Sequence, residues 1–259
     1  MMPLPHRLDR TITIQATREI VFRFFTDEGR WASWWGAGST IDARPGGRLL
    51  IRYPGGVEAL GEVLEVRPPE RIVFTYGYAS EQPIPPGSSR VTIALEAQEG
   101  GTKLRVSHEF AEASVRDAHV QGWRYQLSLF ANLVANEVNA GAAALVDAWF
   151  ATWREPDAHL REQLLTRAVE PAVRFRDQYS AVEGVADLVA HIGGYQHAMP
   201  GIRLERVGEI RHCQGMVLAN WTGSGGSRGE MTGTNVFVLG TDGRITAVTG
   251  FWNAPAQGR

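Results

Sequence analysis

At 259 residues, the chain is long enough for two domains of ordinary size. Its composition, 44% hydrophobic and 21% charged, is typical of a soluble globular protein. The net charge of -2 gives no electrostatic reason to expect nucleic acid or an anionic membrane as a partner. No apolar run reaches the roughly 20 residues that span a bilayer.

The N-terminal residues and the cysteine count indicate a compartment. Residues 1–10 lack the apolar core of a signal peptide. Cys213 is the only cysteine, which excludes an intrachain disulfide. We therefore expect a cytoplasmic protein. Cys213 lies beside His212 and is interpreted as a thiol at a strand end in preference to a nucleophile.

The chain begins with a predicted strand that contains Ile12 and Ile14. Thr17 is a suitable N-cap for a first short helix, and Asp27 for a second. The second helix carries three tryptophans within five residues: Trp31, Trp34 and Trp35. Such an apolar cluster predicts either a core or the wall of a cavity.

A meander of about six antiparallel strands is predicted next, because Gly- and Pro-rich turns separate apolar segments. The segments are residues 41–43, 48–53, 57–67, 72–78, 91–96 and 104–110. The last two alternate apolar and polar residues most clearly, which is typical of strands with one buried face.

The stretch Ala113–Glu155 has apolar residues at helical spacing in two successive runs. Asn139-Ala140-Gly141 separates the runs, and Asn and Gly are common where a helix ends. We predict that a long helix closes a first domain and that a second helix opens another. The alternative is one continuous helix.

The first part of the chain resembles the START-like, or SRPBCC, superfamily with its helix-grip fold. Within it, the similarity is to the group named after the homologue of the Hsp90 ATPase activator. The resemblance covers about residues 8–139, and the motifs that carry it are Ile12-x-Ile14-x-Ala16, Val21-Phe22, Trp34-Trp35-Gly36, Gly61-x-Val63-x-Glu65-Val66-x-Pro68-Pro69, Gly101-Thr102-x-Leu104, His108 and Gly122-Trp123. It implies a cavity for an apolar or amphipathic small molecule, and no particular reaction. The Hsp90 co-chaperone has a further domain that engages Hsp90, which has no counterpart here, so Hsp90 activation is not expected.

His108 is the polar residue of interest in this part, because its strand alternation with Leu104 and Phe110 turns it inward. A neutral imidazole there either orients a ligand or is a satisfied core histidine. His119 faces the same cavity or solvent. The ligand-binding residues expected in this part are Trp34, Trp35, His108 and Trp123. No close cluster of His, Cys and carboxylates has metal-site spacing, and neither a metal nor a cofactor is expected.

The second part is predicted to contain helices, one strand, and then four antiparallel strands. Helices are expected over residues 145–153, from Asp157 to 167, and from Val185 onward, the last weakened by Gly193-Gly194. The strands are expected over residues 173–177, 202–211, 215–223, 229–239 and 244–252.

This order resembles the SnoaL-like branch of the NTF2 superfamily over about residues 142–253. The motifs that carry the resemblance are Trp149-Phe150, Val173-x-Phe175-x-Asp177, Val182-x-Gly184, Trp221, Gly233-x-Asn235-x-Phe237-x-Leu239, Asp242-Gly243-Arg244-Ile245 and Phe251-Trp252. The resemblance implies a conical pocket, often a dimer through the open sheet face, and in some members an isomerase, cyclase, hydrolase or hydroxylase activity.

Asp177 is the best catalytic candidate. Strand alternation places it on the same face as Val173 and Phe175, which should face an apolar pocket. Desolvation in such a pocket would make its carboxylate a stronger base. The resemblance places Trp149 and Asn235 where isomerases of this superfamily carry oxyanion-stabilising groups. Both can donate hydrogen bonds, and neither is an acid, so a steroid-type isomerase is doubtful. The alternative is that Asp177 pairs with Arg176 or caps the following turn.

Five further residues of this part are candidate ligand contacts. They are Tyr195, His197, Trp221, Phe237 and Trp252. Tyr195 and His197 either line the pocket mouth or lie on the surface at a helix end. Trp221 and Trp252 are equally suited to cone lining or to an interface.

We conclude that the chain is an α+β protein with a START-like domain at residues 1–140 and a SnoaL-like NTF2-type domain at residues 141–259. The leading hypothesis is that it binds a small apolar or amphipathic molecule, with acid–base chemistry by Asp177 in the second pocket. The alternative is a non-catalytic binding or stress-response module, or a scaffold that dimerises through the NTF2-like sheet.

Overall fold

The computed structural model describes residues 3–225 and 230–253. This part of the chain is a mixed α+β structure with two sheets and six helices. The chain divides into two compact units, Met1–Ala135 and Asn136–Arg259.

The first unit opens with strand β1 (His6–Ile14) and two short helices, α1 (Arg18–Arg23) and α2 (Glu28–Trp35). Asp27 caps α2 as predicted, since its carboxylate accepts a hydrogen bond of 2.9 Å from the Arg30 backbone N–H. Thr17 occupies the predicted N-cap position of α1, although its side chain makes no capping hydrogen bond.

A meander of six antiparallel strands follows, as predicted. Its strands are β2 (Thr40–Ile41), β3 (Arg48–Arg52), β4 (Glu58–Arg67), β5 (Arg71–Tyr78), β6 (Ser89–Gln98) and β7 (Gly101–Phe110). Strand β1 pairs with β7, so the sheet order is β1-β7-β6-β5-β4-β3-β2. Gly101 begins β7 at a φ of 143°, and a Cβ there would lie 2.1 Å from the Ile14 carbonyl oxygen, so this close pairing of β1 and β7 requires glycine.

Helix α3 (Ala113–Val138) follows β7, and its apolar face packs on the aromatic cluster of α2. Trp34 is 1% exposed and contacts Phe130 of α3 edge-on, with ring centroids 4.9 Å apart. The Gln126 side-chain amide donates a hydrogen bond to the Trp34 carbonyl. These contacts hold α3 to the helical layer of the first unit.

The helix ends at Val138, and helix α4 (Ala142–Thr152) begins after a short break. The break is at Asn139–Gly141, where the sequence predicts it, and the alternative of one continuous helix is wrong. Among the described residues, no single helix is long and apolar enough to cross a bilayer; α3 and α4 pass that test only when taken together, by length and composition.

The second unit continues from α4 with α5 (Ala158–Ala168), β8 (Val169–Arg176), a short strand β9 (Ala181–Glu183) that was not predicted, and α6 (Val185–Ala198). Four long strands complete it: β10 (Arg203–Cys213), β11 (Met216–Ser224), β12 (Met231–Leu239) and β13 (Ile245–Trp252). The sheet order is β10-β11-β12-β13-β8-β9, and β13 pairs with β8 in parallel. The start of the strand predicted over residues 229–239 lies outside the described residues.

Arg161 on α5 is a buried cation, only 3% exposed. Its guanidinium donates hydrogen bonds to the carbonyls of Glu155, Pro156 and Val189, at 2.9 to 3.1 Å. A further bond of 2.6 Å reaches the Gln196 side-chain oxygen. Arg161 therefore ties the turn before α5 to α6 through the hydrogen bonds of one buried guanidinium.

Gly193 explains how α6 accommodates this cation. A Cβ at Gly193 would lie 3.0 Å from Nη1 of Arg161, so a larger residue would crowd the guanidinium. The helix runs through Gly193 and Gly194 to Ala198 despite their low helix propensity. Packing against Arg161 therefore outweighs the local preference.

We expect Arg161→Met to lower the free energy of unfolding by about 3 kcal/mol, because it removes the hydrogen bonds to the Pro156 and Val189 carbonyls and to the Gln196 side-chain oxygen. Arg167→Met is the matched control, since Arg167 is exposed on the same helix and should change stability by less than about 0.5 kcal/mol. Urea denaturation followed by circular dichroism measures both. Equal stability of the two variants would contradict the structural role of Arg161.

Candidate functional site

The first unit contains a cavity of about 480 Å³ between its sheet and α3, open to solvent on one side. Its lining is aromatic and uncharged, and consists of Trp35, Tyr53, Pro54, Val57, Tyr76, Tyr78, His108, Ala118, His119, Gly122, Trp123, Tyr125 and Gln126. Tyr125 is 68% exposed, so the cavity has an aromatic rim in contact with solvent. A volume of this size is in the range of small-molecule sites, which is roughly 300–1,000 Å³.

His108 is 1% exposed, and both of its ring nitrogens are engaged. The Trp123 indole N–H donates to Nδ1 at 3.0 Å, so Nδ1 carries no hydrogen. Nε2 must then carry the hydrogen of the neutral ring, and it donates to the Ser89 hydroxyl at 2.8 Å. Ser89 in turn donates to the Tyr76 carbonyl at 2.8 Å. His108 is thus a satisfied core histidine whose ring contributes only its surface to the cavity.

Burial is the main cause of the pKa of His108 lying well below its ordinary value, and the neighbouring His119 adds to the effect. A protonated His108 would also place a hydrogen on Nδ1 against the Trp123 N–H. The hydrogen-bond network and burial therefore both favour the neutral ring.

His119 and Tyr78 form a second polar group in the cavity wall. Nδ1 of His119 lies 2.7 Å from the Val115 carbonyl oxygen one turn earlier, and it donates to that oxygen. Nε2 then accepts from the Tyr78 hydroxyl at 3.3 Å. Burial lowers the pKa of His119, while the bond to Val115 opposes that shift. The imidazole is therefore neutral and orients Tyr78.

Tyr53 and Tyr76 form a third polar group, with their hydroxyl oxygens 3.0 Å apart. Burial raises the pKa of both hydroxyls, so both remain protonated at neutral pH. Strand alternation places Tyr76 and Tyr78 on one face of β5, and this pattern could have identified the polar wall from the sequence. Our sequence interpretation missed all three tyrosines.

The structure separates the expected contacts of the first part. Trp35, His108 and Trp123 line the cavity, whereas Trp34 packs in the core. Trp35 is 4% exposed, and its indole Nε1 has no hydrogen-bond partner among the described residues.

The second unit has a much smaller cavity, of about 30 Å³. Its lining is Trp149, Phe150, Trp153, Phe175, Asp177, Tyr195, Leu204, Trp221, Asn235, Gly250 and Trp252. The three predicted catalytic residues are thus brought together. The cavity itself holds about one water molecule, because aromatic rings fill most of the space between the helices and the sheet.

Asp177 lies one residue beyond β8, and its carboxylate is held by three donors. The Tyr179 N–H and the Ser180 hydroxyl donate to Oδ1 at 2.8 and 2.9 Å. The Trp252 indole N–H donates to Oδ2 at 3.2 Å. Asp177 therefore caps the turn after β8, and at the same time lines the cavity. No ion pair with Arg176 forms within the described residues.

Asn235 faces Asp177 across the position of Gly250. Its Oδ1 accepts from the Trp221 indole N–H at 3.0 Å, which assigns the orientation of the amide because an indole can only donate. A Cβ at Gly250 would lie 3.2 Å from Asn235 Oδ1 and 3.4 Å from Asp177 Cβ. Glycine at this position therefore leaves the space between the two side chains open.

Within the described part of the chain, three buried donors around this cavity have no hydrogen-bond partner: Trp149 Nε1, Trp153 Nε1 and the Tyr195 hydroxyl. Burial raises the pKa of Tyr195 to about 12, and the charge of Asp177 adds to this. His191 is hydrogen-bonded to Ser180 at 3.3 Å, and burial lowers its pKa although Asp177 acts in the opposite direction. The cavity wall is consequently rich in neutral donors.

The remaining expected contacts lie elsewhere. His197 is exposed and does not line the cavity, and Phe237 is fully buried behind Trp149 with ring centroids 5.8 Å apart. Within residues 3–225 and 230–253, no three His, Cys, Asp or Glu side chains are placed to hold a metal ion.

Residues 15–135 match the family model described as activator of Hsp90 ATPase homolog 1-like protein. Among solved structures, a SnoaL-like family protein from Agrobacterium tumefaciens is 26% identical, with 43% of this chain and 96% of that chain covered and a TM-score of 0.41. The Aha1 dimer from Colwellia psychrerythraea is 20% identical, with 47% and 90% covered and a TM-score of 0.41. No curated protein matches the chain significantly. The similarity to this family is therefore limited to residues 15–135, which lie within the first unit.

Proposed function

We propose that the protein binds a small, mostly apolar molecule in the cavity of the first unit. The observation that carries this proposal is the contrast in volume, about 480 Å³ in the first unit against about 30 Å³ in the second. A cavity with an aromatic wall and a few polar groups is the usual form of a small-molecule site.

We further propose that residues 1–140 form a START-like helix-grip domain and residues 141–259 a SnoaL-like NTF2-type domain in a cytoplasmic protein. The family match over residues 15–135 and the meander followed by the long helix α3 support the first assignment. The order of α4, α5 and β8 before α6 and four long strands supports the second.

Gly122→Phe tests the binding proposal. Gly122 lines the cavity, and a Cβ there meets no atom within 4 Å, so the helix tolerates a side chain that fills the mouth. We expect the variant to bind the neutral fluorescent probe N-phenyl-1-naphthylamine at least tenfold more weakly than the unmodified protein. Fluorescence titration measures the affinity.

Gly194→Phe is the matched control, because Gly194 is also an exposed helical glycine with open space at its Cβ, and it lies in the second unit. It should leave probe affinity unchanged. Equal affinity of the Gly122→Phe variant and the control would exclude this cavity as the binding site.

A second candidate function is proton transfer in the second unit. It is favoured by the carboxylate of Asp177 beside neutral donors that lack partners, Trp149 and Tyr195 among them. In this reaction Asp177 accepts a proton from a carbon acid, and the indole and hydroxyl donors stabilise the oxyanion that forms. A substrate larger than water requires the aromatic side chains to move apart.

For this candidate, Asp177→Asn should slow exchange of the α-protons of a cyclic ketone in D₂O by at least about 100-fold, with little effect on ketone affinity. Proton NMR follows the exchange. Asn can still accept from Tyr179 and Ser180, so the turn should persist, and circular dichroism checks this. Exchange at the unmodified rate in the variant would eliminate Asp177 as the base.

We also propose a homodimer that forms through the outer face of the second sheet. Met216 and Phe251 are 50% and 56% exposed on this face. Met216 pairs across strands with Val238, and Val236, also partly exposed, lies two residues away on β12. Exposed apolar side chains on an open sheet face are typical of an interface between subunits.

We expect native mass spectrometry to give twice the chain mass of 28.5 kDa, and Val236→Lys to shift the protein to the monomer. Leu160→Lys, at an exposed apolar residue on α5, is the control and should remain dimeric. A monomer at all concentrations would refute the dimer, and the same spectra report any retained ligand.

A further inference from the structure

The cavity of the first unit carries no charged side chain. Its lining by the described residues contains no Asp, Glu, Lys or Arg, and both His108 and His119 are neutral. A carboxylate or an ammonium group that entered would lose its hydration without gaining a counter-charge. The wall therefore discriminates against charged ligands.

The direction of the hydrogen bonds decides which polar group Tyr78 can bind, and the hydroxyls of Tyr53 and Tyr76, 3.0 Å apart, form a separate pair in the wall. The chain runs from the Tyr78 hydroxyl to Nε2 of His119, and from Nδ1 of His119 to the Val115 carbonyl. A carbonyl can only accept, so every donor in this chain is committed in one direction. The single hydroxyl hydrogen of Tyr78 is used on His119, and only its oxygen lone pairs remain for a ligand.

The second network in the wall offers nothing to a ligand. It runs from Trp123 through His108 and Ser89 to the Tyr76 carbonyl, and every nitrogen of His108 is used. Within these two networks, the Tyr78 hydroxyl oxygen can therefore still bind a ligand, and it does so as a hydrogen-bond acceptor. Linked hydrogen bonds polarise one another, so donation by Tyr78 to His119 makes its oxygen a better acceptor.

The apolar part of the wall is shaped by aromatic rings. Trp35 and Trp123 contact each other at 72° with centroids 5.9 Å apart, and Trp35 meets Tyr53 edge-on at 5.8 Å. Rings in such arrangements offer faces and edges on which a flat ring of a ligand can pack. The unpartnered indole N–H of Trp35 can additionally donate to a ligand oxygen.

We propose that this cavity selects a neutral aromatic molecule with a hydroxyl group that donates a hydrogen bond to the Tyr78 oxygen. This inference rests on the proposed binding function and names the ligand class of the same site. A hydroxyl meets the requirement because it is neutral and can donate to Tyr78, whereas an ether or ketone of the same skeleton cannot donate.

Isothermal titration calorimetry on the full chain tests the inference with three compounds that share one ring system: 2-naphthol, 2-methoxynaphthalene and 2-naphthoate. We expect 2-naphthol to bind about five- to tenfold more tightly than the methyl ether, as one net hydrogen bond provides. The carboxylate should bind more weakly than either. Gly122→Phe should abolish the binding of 2-naphthol, which locates it in this cavity.

Tyr78→Phe removes the acceptor oxygen and keeps the ring. In this variant the ratio of the affinity for 2-naphthol to the affinity for the methyl ether should fall to about one. Tyr179→Phe is the control, because Tyr179 is 75% exposed in the second unit and should retain the preference. Equal affinities for 2-naphthol and the ether in the unmodified protein, or tightest binding of the carboxylate, would overturn the inference and leave the binding function intact. Failure of all three compounds and of N-phenyl-1-naphthylamine to bind would overturn both.

Discussion

The hydrogen bond from the Trp123 indole to His108 joins helix α3 to strand β7 in the interior of the first unit. It determines the tautomer of His108, and through it the direction of the bonds to Ser89 on β6 and to the Tyr76 carbonyl on β5. Each buried polar atom in this series has a partner, which is the condition for keeping such groups away from water. One helix and three strands are thereby connected at the edge of a cavity that would otherwise be free to collapse.

The polar atoms of His119 also have hydrogen-bond partners, but these bonds are arranged differently. Its bond to the Val115 carbonyl lies within α3, so the ring is oriented by its own helix before it meets Tyr78. The two histidines face one cavity and have different consequences. His108 completes the structure and leaves no polar atom for a ligand, whereas His119 leaves the oxygen of Tyr78 available.

The cavity of the second unit differs from that of the first, because several buried donors around it have no hydrogen-bond partner in the described part of the chain. Asp177 accepts hydrogen bonds from Tyr179, Ser180 and Trp252, while the donors of Trp149, Trp153 and Tyr195 lack partners among the described residues, beside a cavity no larger than a water molecule. Unpartnered buried donors cost free energy. An acceptor that entered between these rings would recover that free energy, which links the small volume of the cavity to its proposed chemistry.

Much of the fold follows from local patterns in the sequence. The alternation in β6 and β7, the cap at Asp27 and the break at Asn139–Gly141 depend on residues close together in the chain, and all are present in the structure. Strand β9 and the buried cation of Arg161 were not anticipated. The first depends on pairing with β8, and the second on carbonyls brought together from α6 and the turn before α5.

The sequence by itself determined the order of helices and strands apart from β9, and the aromatic character of the first cavity. Its resemblance to SnoaL-like proteins supplied the grouping of Asp177, Asn235 and Trp149. Only the tertiary structure decided that Trp35 lines the cavity while Trp34 packs in the core. The structure also decided that the Tyr78 oxygen can accept a hydrogen bond from a ligand, whereas both ring nitrogens of His108 already have partners. It also decided that the first unit, and not the second, has room for a ligand. The physical reason is that a cavity is the space left over after side chains from distant elements have packed, and no local pattern specifies that remainder.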